Sequence, residues 1–146
     1  MSIALEEARA AARRGEVPVG AVITDAAGRV VARAGNRTRE RNDPTAHAEL
    51  LAIRDACAAA GNERLPGHTL WVTLEPCPMC AAAIGFARIA RLYYGAADPK
   101  SGGIAQGPRI YAHAQAHHSP EVYDGIAETE ATALLQTFFQ GLRSKP

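Results

Sequence analysis

Thr69-Leu70-Trp71-Val72-Thr73-Leu74-Glu75-Pro76-Cys77-Pro78-Met79-Cys80 is the stretch that decides the architecture. Leu70, Val72 and Leu74 line one face by the period of two. Trp71 adds apolar surface to the other. The pattern predicts an interior strand, Thr69 to Leu74, covered on both sides. Pro66-Gly67 supplies the turn before it. A helix is expected from about Cys77 to Ile89, with Pro78 tolerated in a first turn whose N–H groups have no helical partner anyway.

Two cysteines three residues apart at a helix start lie on one side of it, about one turn apart. The helix N-terminus favours thiolate over thiol. Both features suit one metal held by two sulfurs at ~2.3 Å. Taken alone, Cys-x-x-Cys is shared by redox pairs and four-cysteine zinc sites. A second stretch, His47-Ala48-Glu49, adds an imidazole and a carboxylate at another expected helix start. Soft sulfur with imidazole favours zinc over harder ions. The third cysteine, Cys57, lies ten residues beyond His47, ~15 Å along the same helix and out of reach. It reads as a small buried hydrophobe. His47, Cys77 and Cys80 are therefore three ligands around a metal with one open position, the mark of a catalytic zinc. Glu49 would carry protons beside it. Inside a regular helix residues 47 and 49 diverge, so the reading requires His47 to lie within the first turn, where both side chains converge.

Around these stretches the chain alternates. Residues 2 to 14 follow the 3.6-residue period, and Gly15 is a C-terminal stop. Residues 19 to 23 and 29 to 34 read as a hairpin about the turn Asp25-Ala26-Ala27-Gly28. Arg37, Arg39 and Arg41 alternate in the loop 35–45, and an extended backbone would point all three one way. Asp43-Pro44 reads as a helix start, with Asp as cap and Pro in the first turn. Ala46, Leu50, Ile53 and Cys57 are expected on one face of that helix, which Gly61-Asn62 ends. Residues 91 to 95 form a short strand, 96 to 109 a loop, and Val122-Tyr123 a candidate last strand. A final helix is expected from about Glu128 to Leu142, with Leu134, Leu135, Phe138, Phe139 and Leu142 on one side. Helix and strand in alternation argue for an α/β sandwich.

The 146 residues fit a single domain over 1–146, large enough to bury a core without staples. Three cysteines do not make a disulfide framework. Charged residues 6, 7, 9, 13 and 14 exclude a signal peptide at this position, and no apolar run reaches the ~18 residues of a membrane span. A cytoplasmic protein without membrane contact is expected. Net charge is +1, so charge alone makes no case for nucleic acid. Of the 16 basic residues, however, only Lys100 and Lys145 are lysines. Arginine suits bidentate phosphate contact; biased codon usage accounts for it equally.

His47-Ala48-Glu49 with Pro76-Cys77-Pro78-Met79-Cys80 resembles the signature of the zinc-dependent nucleobase deaminases. Glu16-Val17-Pro18-Val19-Gly20, Gly35-Asn36-Arg37, the run Asp43 to Glu49, Thr73-Leu74-Glu75-Pro76-Cys77, the run Tyr94 to Gly102 and Phe138-Phe139 resemble the tRNA-specific adenosine deaminases. The resemblance implies a three-layer α/β/α cytidine-deaminase-like fold, a mixed five-stranded sheet with helices on both faces. It implies a homodimer, one Zn2+ per chain, and a tRNA anticodon stem-loop whose wobble adenosine becomes inosine.

It also implies substrate contacts. Asn36 would hydrogen-bond the flipped base, where the alternative is a turn-capping residue. Val17 and Ala48 would pack around that base, or belong to the core. Asp98 and Lys100 would meet the ribose and backbone of the loop, or form a solvated pair. Arg37, Arg39 and Arg41 would hold phosphates, or be ordinary exposed arginines. Phe139 would wall the groove, or serve core or dimer packing. His113, His117 and His118 lack the cysteine or carboxylate pattern of a second metal site. Two competing readings remain. One is a deaminase of free bases or nucleotides with a closed pocket. The other is a non-catalytic zinc-bearing subunit, against which Glu49 argues.

Overall fold

A computed structural model describes all 146 residues. Ten elements follow in order: α1 (Ser2–Arg13), β1 (Gly20–Thr24), β2 (Val30–Gly35), α2 (Ala48–Ala60), β3 (Thr69–Leu74), α3 (Pro78–Phe86), β4 (Arg91–Ala96), a single 3-10 turn (Ile110–Ala112), β5 (Glu121–Tyr123) and α4 (Glu128–Arg143). The strands form one sheet in the order β2-β1-β3-β4-β5. β1 runs antiparallel to β2 and β3, while β3, β4 and β5 are parallel. β3 is thus the central strand, as its two-sided apolar pattern requires.

Helices α1 and α4 touch each other and one face of the sheet; α2 and α3 touch each other on the opposite face. The larger core lies on the α2/α3 side and joins Ile23, Leu70, Val72, Leu92 and Tyr94 to Leu51, Ala52, Ala56 and Ile84. The smaller core gathers Leu5, Ala96 and Ala131 on the α1/α4 side. Trp71 stacks on Tyr93, and Tyr93 on Tyr123, with ring centroids 4.1 and 4.7 Å apart. Trp71 supplies the second apolar face of β3, and Tyr93 and Tyr123 continue it across β4 and β5. Small residues set the layer spacing: a Cβ at Gly20 would fall 1.9 Å from the Ala4 carbonyl oxygen, so α1 lies directly on the backbone of β1.

Three local expectations are corrected. Asp43 does not cap α2. Its Oδ1 accepts the N–H and the hydroxyl of Thr45 at 2.8 and 2.7 Å, closing a turn of its own, and α2 begins five residues later at Ala48. The buried face of α2 accordingly runs through Ala48, Leu51, Ala52, Ile53 and Ala56, leaving Leu50 and Cys57 half-buried. Arg37, Arg39 and Arg41 are not on an extended segment. Residues 38–42 are turns, and the Arg41 N–H donates to the Arg37 carbonyl at 3.0 Å. The Arg37 guanidinium pairs with Glu40, and that of Arg39 donates to the Gly15 carbonyl at 3.4 Å. The apolar stripe expected on one side of α4 is only partly covered: Ala131 is buried, Leu134 and Leu135 are half-buried, and Phe139 and Leu142 are exposed. α3 ends at Phe86, three residues short of Ile89. The strand at Val122-Tyr123 is present as β5.

Candidate metal centre and active site

Two helix N-termini meet at the carboxyl end of β3. Cys77 is the N-cap of α3, held extended (φ −68°, ψ 170°) between Pro76 and Pro78, and its carbonyl accepts the Ala81 N–H at 2.8 Å. His47 is the N-cap of α2, also extended (φ −76°, ψ 149°), and its carbonyl accepts the Leu51 N–H at 3.0 Å. Neither residue caps its own helix with its side chain. Both side chains turn to the space between the helices instead. The extended backbone at His47 removes the conflict with Glu49: the pair straddles the junction from strand-like to helical backbone, and the two side chains meet on one side.

His47 Nδ1 lies 3.5 Å from Cys80 Sγ and 3.7 Å from Cys77 Sγ. The three donor atoms all lie within 4.8 Å of one another. A tetrahedral zinc with arms of ~2.3 Å to sulfur and ~2.0 Å to nitrogen spans sulfur–nitrogen edges of ~3.5 Å. The donors thus stand at the spacing that ion needs. Between the two sulfurs, the Cys80 thiol donates to Cys77. This holds the Cys77 thiol down at about 4 and pushes Cys80 above its usual value, with burial adding to the latter. The hydrogen bond with Cys77 raises the His47 imidazole against the opposing effect of burial.

Glu49 lies in the first turn of α2 and is 3% exposed. Burial pushes its carboxyl above the ordinary carboxylate range. Its Oε1 is the single buried side-chain polar atom in the chain without a hydrogen-bond partner. Such an atom costs folding energy and stands where function needs it. A carboxyl whose ionisation is made harder by burial is suited to accept and return a proton.

Asn36 follows β2, and its Oδ1 accepts the Ala48 N–H at 2.8 Å. It therefore caps α2 from outside and keeps its two Nδ2 hydrogens for another partner. Ala48 is fully buried and its amide is taken by Asn36, so it presents no polar group of its own. Val17 is half-buried against the main core. Asp98 Oδ1 accepts the N–H groups of Lys100 and Ser101 at 3.2 and 3.0 Å; it shapes a turn and forms no ion pair with the exposed Lys100. Arg37 pairs with Glu40. Phe139 stands 41% exposed on α4, edge-to-face with Phe138, in the layer across the sheet from the helices of the metal centre. His113 and His118 face carbonyls of Pro108 and Ile89, and with His117 they line a separate cavity of about 350 Å3 behind α3.

The zinc-binding region of the cytidine and deoxycytidylate deaminases matches residues 1–96. The chain is 59% identical over 143 residues to the tRNA-specific adenosine deaminase of Agrobacterium fabrum (strain C58 / ATCC 33970), covering 98% of this chain and 93% of that one. It is 43% identical over 145 residues to the tRNA-specific adenosine deaminase of Bacillus subtilis (strain 168), covering 99% and 89%. The chain belongs to the tRNA-specific adenosine deaminase family. A solved structure from work on A-to-I editing by tRNA:A34 deaminases superposes with a TM-score of 0.91 at 61% identity, covering 92% of this chain and 97% of that one. The family's zinc-binding region encloses the His47, Cys77 and Cys80 cluster, and the three-layer α/β/α fold is that of the deaminases.

Reading the sequence for motifs passes over two further residues of this deaminase. Glu16 and Glu75 are buried carboxylates whose oxygens are spent on loop amides beside the centre. Both stand within the strings that carry the resemblance, as charged residues placed where the chain approaches or leaves an apolar strand, and neither spacing nor periodicity marks them as loop acceptors.

Proposed function

We propose that the chain hydrolyses the amino group of the wobble adenosine in a tRNA anticodon loop, giving inosine and ammonia. The observation that carries the chemistry is the buried, unpartnered Glu49 carboxyl beside a His/Cys/Cys donor set. The substrate follows from the tRNA-specific relatives that match nearly the whole chain. His47, Cys77 and Cys80 would hold one zinc ion per chain. Bound there, zinc supplies the Lewis acidity that makes water nucleophilic at neutral pH.

Glu49 Oε1 takes the proton of the attacking water and delivers it to the adjacent ring nitrogen of adenine. The water oxygen adds to the carbon bearing the amino group. Glu49 then takes the remaining proton of the added hydroxyl and passes it to that amino group, and ammonia leaves as the carbonyl forms. Asn36 holds the flipped base through Nδ2, Val17 closes against it, and Ala48 supports the contact from beneath by fixing the Asn36 amide through its N–H. Arg37, Asp98 and Lys100 meet the backbone and ribose of the loop. Phe139 adds a wall where the stem-loop extends across α4. An anticodon loop suits this site because an unpaired base is extruded at lower cost than one in a duplex. One domain spans 1–146, two copies assemble, and the protein works in the cytoplasm.

The test is incubation with an anticodon stem-loop carrying a wobble adenosine, and with free adenosine, adenine, cytosine and guanine. Inosine in the stem-loop is the expected result, with a rate below saturation that falls steeply with added salt. Deamination confined to free bases, with a flat salt response, would replace this reading with that of a small-molecule deaminase. A zinc-loaded protein inert on every substrate would make it a binding subunit.

A further inference from the structure

Two carboxylates are buried in the walls of the metal centre, and neither is ion-paired. Glu75 leaves β3 two residues before Cys77 and is 2% exposed. Its Oε1 accepts the Asp98 N–H at 3.1 Å. Its Oε2 accepts three successive amides, from Ile104, Ala105 and Gln106, at 3.1, 3.0 and 3.1 Å. Consecutive N–H groups that converge on one point form an anion-binding concavity. Here the anion belongs to the chain itself. The loop is drawn in tightly: a Cβ at Gly102 would fall 2.5 Å from Glu75 Oε2. The Gly103 N–H donates to the Pro76 carbonyl at 2.8 Å, so this loop lies against the turn that bears Cys77.

Glu16 repeats the arrangement on the other wall. It is 1% exposed and immediately precedes Val17. It accepts the N–H groups of Glu40 at 2.8 Å and Arg39 at 3.1 Å, and the Thr38 hydroxyl at 3.3 Å. That loop carries Arg37 and connects Asn36 to His47.

Burying a carboxylate costs several kcal/mol unless hydrogen bonds to the charge offset it. An apolar side chain would fill either space without that cost. It would also leave the loop amides unpaired, because these segments have no ladder or helix to satisfy them. Charge-assisted bonds to several amides at once hold a loop in one geometry. The same device occurs twice, on unrelated loops, and both loops border one site.

We propose that Glu16 and Glu75 are positioning residues for substrate recognition. They pre-form the two loop walls between which a folded nucleic-acid loop is received, so the ordering of those walls is met in folding rather than in binding. They set affinity for the stem-loop and leave the chemical step nearly untouched. This inference rests on the function proposed above. A glutamine is similar in size but carries no charge and one acceptor oxygen: at Glu75, where both oxygens accept separate amides, at least one amide loses its acceptor, and at Glu16 the charge-assisted bonds to the Arg39 and Glu40 amides are weakened.

The experiment titrates a fluorescent anticodon stem-loop into zinc-loaded Glu49→Ala protein, alone and combined with Glu75→Gln or Glu16→Gln. Zinc content and amide hydrogen exchange are measured on the same samples. KM and kcat are measured for each glutamine variant with Glu49 intact. Each variant is expected to weaken stem-loop binding by about tenfold and raise KM in parallel, with kcat within about threefold of the parent and zinc unchanged. Exchange should accelerate at Asp98, Ile104, Ala105 and Gln106 in Glu75→Gln, and at Arg39 and Glu40 in Glu16→Gln, while the sheet stays protected. Binding within about twofold of the parent despite faster loop exchange overturns the inference. So does a loss of zinc and kcat at constant KM, which would assign the staples to the metal-bearing turn. If Glu75→Gln does not fold, Glu16→Gln carries the test, since its loop is remote in sequence from that turn. A parent protein that makes no inosine from the stem-loop defeats the proposed function; an active parent with variants of unchanged KM defeats this inference alone.

Discussion

The Asn36 side-chain oxygen lies 2.8 Å from the Ala48 amide nitrogen, joining the end of β2 to the first turn of α2. The helix has no other side-chain cap, because His47 at its N-cap turns toward the cysteines. Asn36 thus completes the helix that carries Glu49 and keeps its two side-chain donors uncommitted. The two roles separate by substitution. Asn36→Ala leaves a buried N–H without an acceptor and should cost about 1–3 kcal/mol in urea unfolding. Asn36→Asp keeps the acceptor and loses the donors, so a smaller stability loss with a comparable loss of deamination is expected. Equal stability losses would show that the cap does not rest on the oxygen.

Removal of a sulfur should act on the metal, and removal of the carboxyl on turnover. Cys77→Ser and Cys80→Ser are expected to lose zinc in metal analysis, because a serine hydroxyl does not ionise as a thiol does. Glu49→Ala should retain one equivalent of zinc and lose deamination by about 10²–10⁴-fold. One full equivalent of zinc in both serine variants would refute the ligand assignment, and retained turnover in Glu49→Ala would refute the proton carrier.

Acid should loosen the Glu16 staple. Burial alone pushes this carboxyl up, but the amides of Glu40 and Arg39 and the Thr38 hydroxyl outweigh it and hold the group below its ordinary value of 4.5. A folded-state pKa below the unfolded one contributes stability above about pH 4.5, lost as pH falls through the lower folded value. Glu16→Gln should therefore be less stable than the parent near neutrality. The gap between their unfolding midpoints should narrow as pH drops below 4.5. A gap constant from neutrality to strong acid would remove the carboxylate from the account.

The contact of α1 on β1 leaves no room for a methyl group. Gly20→Ala would place a Cβ 1.9 Å from the Ala4 oxygen and 2.6 Å from the Ala8 nitrogen, both backbone atoms. About 3 kcal/mol or more should be lost, since backbone yields less than side chain. A thermal midpoint equal to the parent's would show that α1 is free to shift.

Much of the frame is legible along the chain. Strand β3 declares itself by alternating Leu70, Val72 and Leu74, and the helices by their 3.6-residue spacing with stops at Gly15 and Gly61. The start of α2 is misread because Asp43-Pro44 carries the residue types of a helix cap, and a turn closed by Thr45 competes successfully for the same carboxylate. The arginine loop is misread for a related reason. Alternation in sequence has meaning only on an extended backbone, and here the chain coils back on itself.

What the sequence by itself determined is the alternation of helix and strand and the meeting of His47, Cys77 and Cys80 as one donor set. These rest on short spacings and on the chemistry of residue types, both local to the chain. Tertiary structure alone decided that Asn36 caps the helix of Glu49, and that Glu16 and Glu75 are buried staples of the loops around the centre. Those bonds join residues 22 to 31 apart in sequence with Glu16 and Glu75, and 12 apart with Asn36. They depend on the paths of irregular loops. A loop has no period to read, and its amides take whichever acceptor the folded chain brings within hydrogen-bonding distance.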